Sequence, residues 1–258
     1  MSIGGILDGI LRLYKSNFVT FLIIGLIAYL PLGVLECFLY FVYWANRLPA
    51  VVNSLAPEEV MVIVVNNTVI VLYQVLVIPL CLVAMIHKIS ATFVGESMTA
   101  FEAYQRGFRR FGWMILTNVL YSLGVGLGLA LCILPGVIFG LWFLLAPIAV
   151  VLEPVGPIAA FKRSKNLMKE NLSRGFLLFF LILMFGIVLY IGIAIPMSIF
   201  AAVAGYETIW SVFPDSIFDP LYLPLFTGTF VLLYYDLRVR KEAFDLDRMA
   251  EDNAVDSG

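Results

Sequence analysis

Charged side chains are scarce in this chain: 13% of its 258 residues are Asp, Glu, Lys or Arg, against 62% apolar. A soluble domain carries about 25% charged and about 45–50% apolar residues. A fold of this size has too little interior to hide the surplus, so the remainder must face lipid. Histidine is reduced to His87 alone, which excludes a His-rich metal centre. Cys37, Cys81 and Cys132 lie inside apolar runs with no CxxC or Cys/His spacing, and read as small buried hydrophobes. No GxSxG, HExxH or P-loop occurs, and Glu58-Glu59 and Asp215/Asp219 look like solvated charge rather than catalytic pairs. The expectation is a non-enzymatic protein without cofactor or metal. A basic n-region followed by a cleavage site is also missing, so no removable signal peptide is expected. Net charge of -2 argues against nucleic acid as a partner.

What is abundant is long apolar sequence. A spanning helix needs about 20 mostly apolar residues. Six runs qualify: 18–43, 60–86, 113–134, 136–152, 176–203 and 221–235. The third and fourth form one stretch interrupted by Leu134-Pro135-Gly136, which reads as the turn of a helical hairpin. The fourth is short enough to be either a span or a re-entrant segment. The fold expected is all-α: a polytopic membrane bundle of about six helices over 1–240, followed by an acidic cytoplasmic tail, 241–258.

Orientation follows from the basic residues. Of 16 Lys and Arg, Arg47 alone falls in a segment placed outside; the outer segments hold Glu58, Glu59, Glu207, Asp215 and Asp219. That asymmetry predicts both termini on the inner side of the membrane.

Three inner segments, 3–17, 98–111 and 158–172, have the pattern of amphipathic helices. Ile3, Ile6, Leu7, Ile10, Leu11 and Tyr14 recur at helical spacing in the first; Phe101, Tyr104, Phe108 and Phe111 in the second; Ile158, Phe161, Met168 and Leu172 in the third. They are read as interfacial helices at headgroup level, the other reading being helices packed on the bundle's own underside. Phe101 to Pro135 is 34 residues and Phe161 to Pro196 is 35. With the N-terminal segment, this outlines a weak three-fold repeat of amphipathic helix, span, loop and span.

Pro31, Pro79, Pro135, Pro147, Pro196 and Pro224 stand in or beside the spans, as kinks or as sources of free carbonyls. Gly124, Gly126, Gly128, Gly136 and Gly140 hold GxxxG spacings that suit close packing of the hairpin. Glu36 is the ionisable residue inside a span, about 27 Å along its helix from Phe18. It is either solvated near the outer interface or a proton or cation site. Asn66, Asn67, Gln74 and Asn118 line a polar interior or bond between helices.

Arg106, Arg109, Arg110, Lys162, Arg163, Lys165 and Lys169, on the second and third amphipathic segments, are candidate ligands for anionic lipid headgroups held between the two. Glu153, Arg163, Asp236 and Arg238 are expected to form one structural ion-pair network near the inner interface.

Ile133-Leu134-Pro135-Gly136, Ala146-Pro147, Glu153, Ala160 and Lys162-Arg163-Ser164, with the ending Tyr234-Tyr235-Asp236-Leu237-Arg238-Val239-Arg240-Lys241-Glu242 and Phe244-Asp245-Leu246, resemble a bacterial family. It is the membrane domain attached to some glycerophosphoryl diester phosphodiesterases, with related stand-alone membrane proteins. The resemblance implies six spans with amphipathic inner helices, in the inner membrane of a bacterial cell. The phosphodiesterase barrel is missing from this sequence, so the resemblance implies none of its activity.

Two functions fit these observations: a lipid-binding or envelope-organising membrane protein, or a transporter or channel for a small molecule, ion or lipid. Protein partners and self-association stay open. The charge asymmetry predicts that cysteines placed at Arg47, Glu58 and Asp215, in a background lacking the native cysteines, react with an impermeant thiol reagent from outside. Cysteines at Arg110, Lys165 and Arg240 should stay protected until the membrane is opened. Labelling of the Lys165 position in intact cells would overturn the orientation.

Overall fold

A main chain in hydrocarbon has no water to satisfy its N–H and C=O groups, so it must pair them within itself. In a computed structural model the chain does so with helices, and no strand occurs among the described residues. Backbone is described for 1–45, 57–204 and 213–256, and side chains for 1–39, 60–61, 64–203 and 214–243. The helices are α1 (Ile3–Ala45), α2 (Pro57–Leu76), α3 (Ile78–Val94), α4 (Ala100–Phe108) and α5 (Phe111–Leu131). After these come α6 (Ile133–Phe143), α7 (Ala146–Leu152), α8 (Pro157–Met168), α9 (Leu172–Ala204) and α10 (Phe213–Asp256). Six stretches are long and apolar enough to cross a membrane: Ile3–Leu39, Val64–Val94, Phe111–Leu131, Ile133–Leu152, Leu172–Val203 and Pro214–Ala243. The chain is a multi-pass integral membrane protein. Arg47 and Glu207 lie outside the described residues, as do the side chains of Glu58, Glu59 and the tail beyond 243.

Several spans are broken, each break at an identifiable residue. In α1 the backbone kinks at Asn17, φ -128° and ψ 22°, where the amphipathic segment meets the first span. The second span is α2 and α3 joined at Val77, with Pro79 in the first turn of α3. There the N–H that proline lacks would have no helical partner anyway. The fourth span is α6 and α7, separated at Leu144–Leu145, with Pro147 opening α7.

The hairpin turn differs from the sequence expectation. It lies at Cys132, in extended backbone with φ -170° and ψ 149°, and Leu134-Pro135-Gly136 belongs to the first turn of α6. A first helical turn tolerates proline for the same reason as above. Gly136 then seats directly on Gly128: a Cβ on Gly128 would come within 2.8 Å of the Gly136 Cα. Small residues here let the two backbones touch.

The element order repeats three times as short helix, outgoing span, returning span. The second halves of the returning spans, α3, α7 and the stretch of α10 after Pro224, pack against one another. They supply most of the fully buried side chains, among them Ile86, Ile89, Val150, Phe230, Leu233 and Tyr234. Each short helix lies on one of these half-spans. Gly107 of α4 meets Val83 and Ala84 of α3; Ile10, before the kink in α1, fills the space over Gly228 of α10. On α7 the contact is α8, whose Ser164 is completely buried. The Ser164 hydroxyl donates to the Trp142 carbonyl at 2.7 Å and accepts from the Leu145 N–H at 3.1 Å. It thereby satisfies both main-chain groups at the α6–α7 break.

A buried polar group left without a partner costs about 1–3 kcal/mol. Ser164→Ala orphans two, so its thermal unfolding midpoint in detergent should fall well below that of the parent. An unchanged midpoint would mean that the break does not depend on this hydroxyl.

Candidate functional site

One end of the bundle gathers α4, α8, the start of α1 and the charged turns of α10. Two separate ion-pair clusters organise it. In the first, Arg163 of α8 holds Glu153, just past α7, at 3.1 Å and Glu242 at 2.9 Å. Arg238 pairs with Glu242 at 2.9 Å and approaches Glu153 at 4.0 Å, while the Tyr234 hydroxyl donates to Glu153. Tyr234, Arg238 and Glu242 are spaced by four along α10 and so share one face. Burial works against the Arg163 charge, but Glu153, and the hydrogen bonds to Glu242 and Glu153, hold its pKa above the ordinary arginine value.

Asp236 does not join that network. It lies in a second cluster with Arg174 at 2.7 Å, Arg240 at 3.0 Å and the α-amino group of Met1. The expectation of one four-membered network is corrected here, and the reason is helical geometry. At about 100° per residue, Asp236 points roughly opposite to Tyr234 and Arg238, two positions either side of it. Tyr234, Glu242, Arg174 and Arg240 were missed by sequence reasoning. The spacings Asp236–Arg240 and Arg238–Glu242, each i,i+4, carried the signal for two of these, Arg240 and Glu242.

The seven candidate headgroup ligands also separate. Arg163 is committed to carboxylates, and Arg106 lies 3.8 Å from Glu96 at the surface. Arg109, Lys162, Lys165 and Lys169 are exposed, and Arg110 is half-buried. Lys165 holds its Nζ 4.6 Å from the centre of the Trp142 ring. α4 packs on α3, α1 and α5, whereas α8 packs on α7, α6, α10 and α5, which makes two basic patches rather than one site between them.

α4 starts at a capping box: Thr99 and Glu102 exchange side-chain and main-chain hydrogen bonds. The bonds from the Thr99 backbone and hydroxyl draw the Glu102 carboxyl below its usual range. α4 sits on the bundle through Ala103 and Gly107, and Tyr104 reaches the Ile24 carbonyl at 2.7 Å. This leaves Phe101 and Phe108, seven residues apart on one face, 77% and 69% exposed. On α8, Phe161 packs edge-on against Phe143 at 5.1 Å while Ile158 is 70% exposed among the lysines.

At the opposite end Glu36 borders a small polar chamber of about 130 Å³ with Tyr29, Gln74, Asp215, Ser216 and Asp219. Asp219 is half-buried facing it, so the reading of Asp215/Asp219 as wholly solvated charge is corrected. Neither residue type nor spacing revealed this convergence, because it depends on α1 and α10 lying antiparallel. Among the described residues, no group of three His, Cys, Asp or Glu side chains could hold a metal ion.

Residues 111–232 match a family described as Domain of unknown function (DUF7847). The match spans just under half of the chain and includes α5 to α9 with the first part of α10. No curated protein and no solved structure matches the chain.

The two clusters share no residue, so their energetic contributions should add. Asp236→Asn, at a carboxylate 5% exposed between two arginines, should lower stability by about 3–5 kcal/mol. Arg163→Gln should cost less, because its side chain is 25% exposed. The double variant should lie within about 0.5 kcal/mol of the sum. Chemical denaturation in mixed micelles measures all three, and strong non-additivity would restore a single network.

Proposed function

We propose that this chain is a non-enzymatic membrane protein of the bacterial inner membrane that binds anionic lipid headgroups at its charged end, with both termini inside. One observation carries the reading. Exposed cations and exposed large apolar side chains share the same two short helices: Phe101 and Phe108 with Arg106 and Arg109 on and just after α4, and Ile158 with Lys162, Lys165 and Lys169 on and just after α8. Aromatic and aliphatic groups beside cations suit the headgroup–acyl boundary, where one half meets hydrocarbon and the other phosphate. Each cation near an anionic leaflet contributes about 1 kcal/mol of attraction, so several together are enough to retain lipid. Apart from Arg106, which lies 3.8 Å from Glu96, no ion pair engages these cations among the described residues, while Arg163, Arg174 and Arg238 hold the helices in place.

A transport reading rests on the Glu36 chamber. What weighs against it is the layer between the chamber and the charged end, where Phe21, Ile24, Cys81, Val83 and Met85 are fully buried and tightly packed. None of these five residues borders the small polar chamber.

Replacing Arg109, Arg110 and Lys165 together with glutamine should reduce the anionic lipid retained on purification by several-fold, with topology and thermal stability unchanged. Native mass spectrometry of parent and variant, extracted from the same membranes, makes the comparison. Equal retention would leave these cations with a role in membrane insertion only.

A further inference from the structure

On α6, Gly140 leaves a shallow strip on one face, a Cβ there meeting nothing closer than 3.7 Å, while Gly136 one turn earlier is packed against Gly128 and Leu129. Beside that strip runs a groove of about 230 Å³ between the α5–α6 hairpin and α9. Val125, Leu129, Val137, Leu144, Phe176 and Phe179 wall it. Tyr121, also on the wall, directs its hydroxyl to the Gly140 carbonyl at 3.2 Å, so the lining presents little to hydrogen-bond. Leu129, Val137 and Phe176 are 47%, 39% and 47% exposed, which makes this a slot open on the side of the bundle rather than a sealed void. At about 30 Å³ for each water-sized group, it has room for about eight, a stretch of one acyl chain. A helix about 10 Å across would not enter it.

Charge gathers at one end of the slot. Leu144 belongs to the α6–α7 break that Ser164 plugs, and the next residue, Lys165, lies against Trp142. Lys169 follows one turn later, just before α9 begins and delivers Phe176 and Phe179 to the wall. Lys165 and Lys169 are exposed, and no ion pair engages either among the described residues. We propose that the groove holds one acyl chain of an anionic glycerophospholipid, with its phosphate between Lys165 and Lys169. The proposal rests on the headgroup reading above and adds a defined, oriented lipid to it. Inside a bilayer, burying an acyl chain in protein gains contact rather than hydrophobic free energy, so selection among lipids falls to the two lysines.

The test uses the full chain in vesicles of phosphatidylcholine with a tenth of the lipid as either phosphatidylglycerol or phosphatidylcholine bearing a diazirine in one acyl chain. Crosslinked peptides are then mapped by mass spectrometry. The expected adducts fall within 121–144 and 176–179, and are at least about tenfold stronger for phosphatidylglycerol, two cations each contributing a factor of about five. Gly140→Leu should abolish these adducts for both lipids, since a Cβ there meets nothing closer than 3.7 Å and the larger side chain fills the slot. Val137→Trp fills it from a second position, should Gly140→Leu fail to fold. Lys165→Gln with Lys169→Gln should bring phosphatidylglycerol down to the phosphatidylcholine level while adducts stay at the groove. Adducts spread evenly over the apolar surface, or unchanged by filling the slot, would overturn the groove even if the lysine variant still lost lipid. Equal labelling by both lipids in the parent would overturn the headgroup contact instead.

Discussion

Every N–H and C=O of a spanning segment must find a partner inside the protein, and the architecture depends on how this chain meets that demand where its helices break. A continuous helix meets it automatically. The α6–α7 break does not, and there the buried Ser164 serves the Leu145 N–H and the Trp142 carbonyl together. That pair of hydrogen bonds fixes where α8 docks. Once α8 is docked, Arg163 is within reach of Glu153 and Glu242, and the lysine face points outward. At the Val77 break the solution is local, with Pro79 placed in the first turn of α3 where its missing N–H has no consequence.

The same end of the molecule separates two uses of charge. The half-buried Arg163, Arg174 and Arg238 are engaged with carboxylates, and these contacts, with that of the Met1 amino group, tie α1, α7, α8, α9 and α10 into one body. The exposed cations of α4 and α8 are not needed for that purpose. A protein that merely required positive charge for insertion would gain nothing from setting Phe101, Phe108 and Ile158 beside it, because exposed apolar groups do not enter the orientation rule. Their company suits contact with a lipid surface.

Much of the fold could be read from particular residues. The kink at Asn17 falls where the amphipathic pattern gives way to uninterrupted apolar sequence, and the glycine spacings of the hairpin do bring α5 and α6 together. The turn was displaced by two residues because proline and glycine signal a break without saying on which side of it they stand. The ion pairs were legible in kind but not in grouping: four charged residues near one another in space were assigned to one network, although two positions of offset on α10 send Asp236 to the other side of the helix.

Apolar run length and helical periodicity by themselves determined that this chain is a multi-pass membrane protein with six helical stretches long and apolar enough to cross, and which short segments carry both cations and aromatics. These are properties of consecutive residues, and a bilayer acts on consecutive residues as they meet it. Tertiary structure alone decided which cations remain exposed, how Glu36 meets Asp215 and Asp219, and that Gly140 of α6 faces a slot toward α9. Each of those depends on how helices distant in sequence rotate against one another, and a rotation of about 100° per residue turns a one-residue uncertainty into a different face.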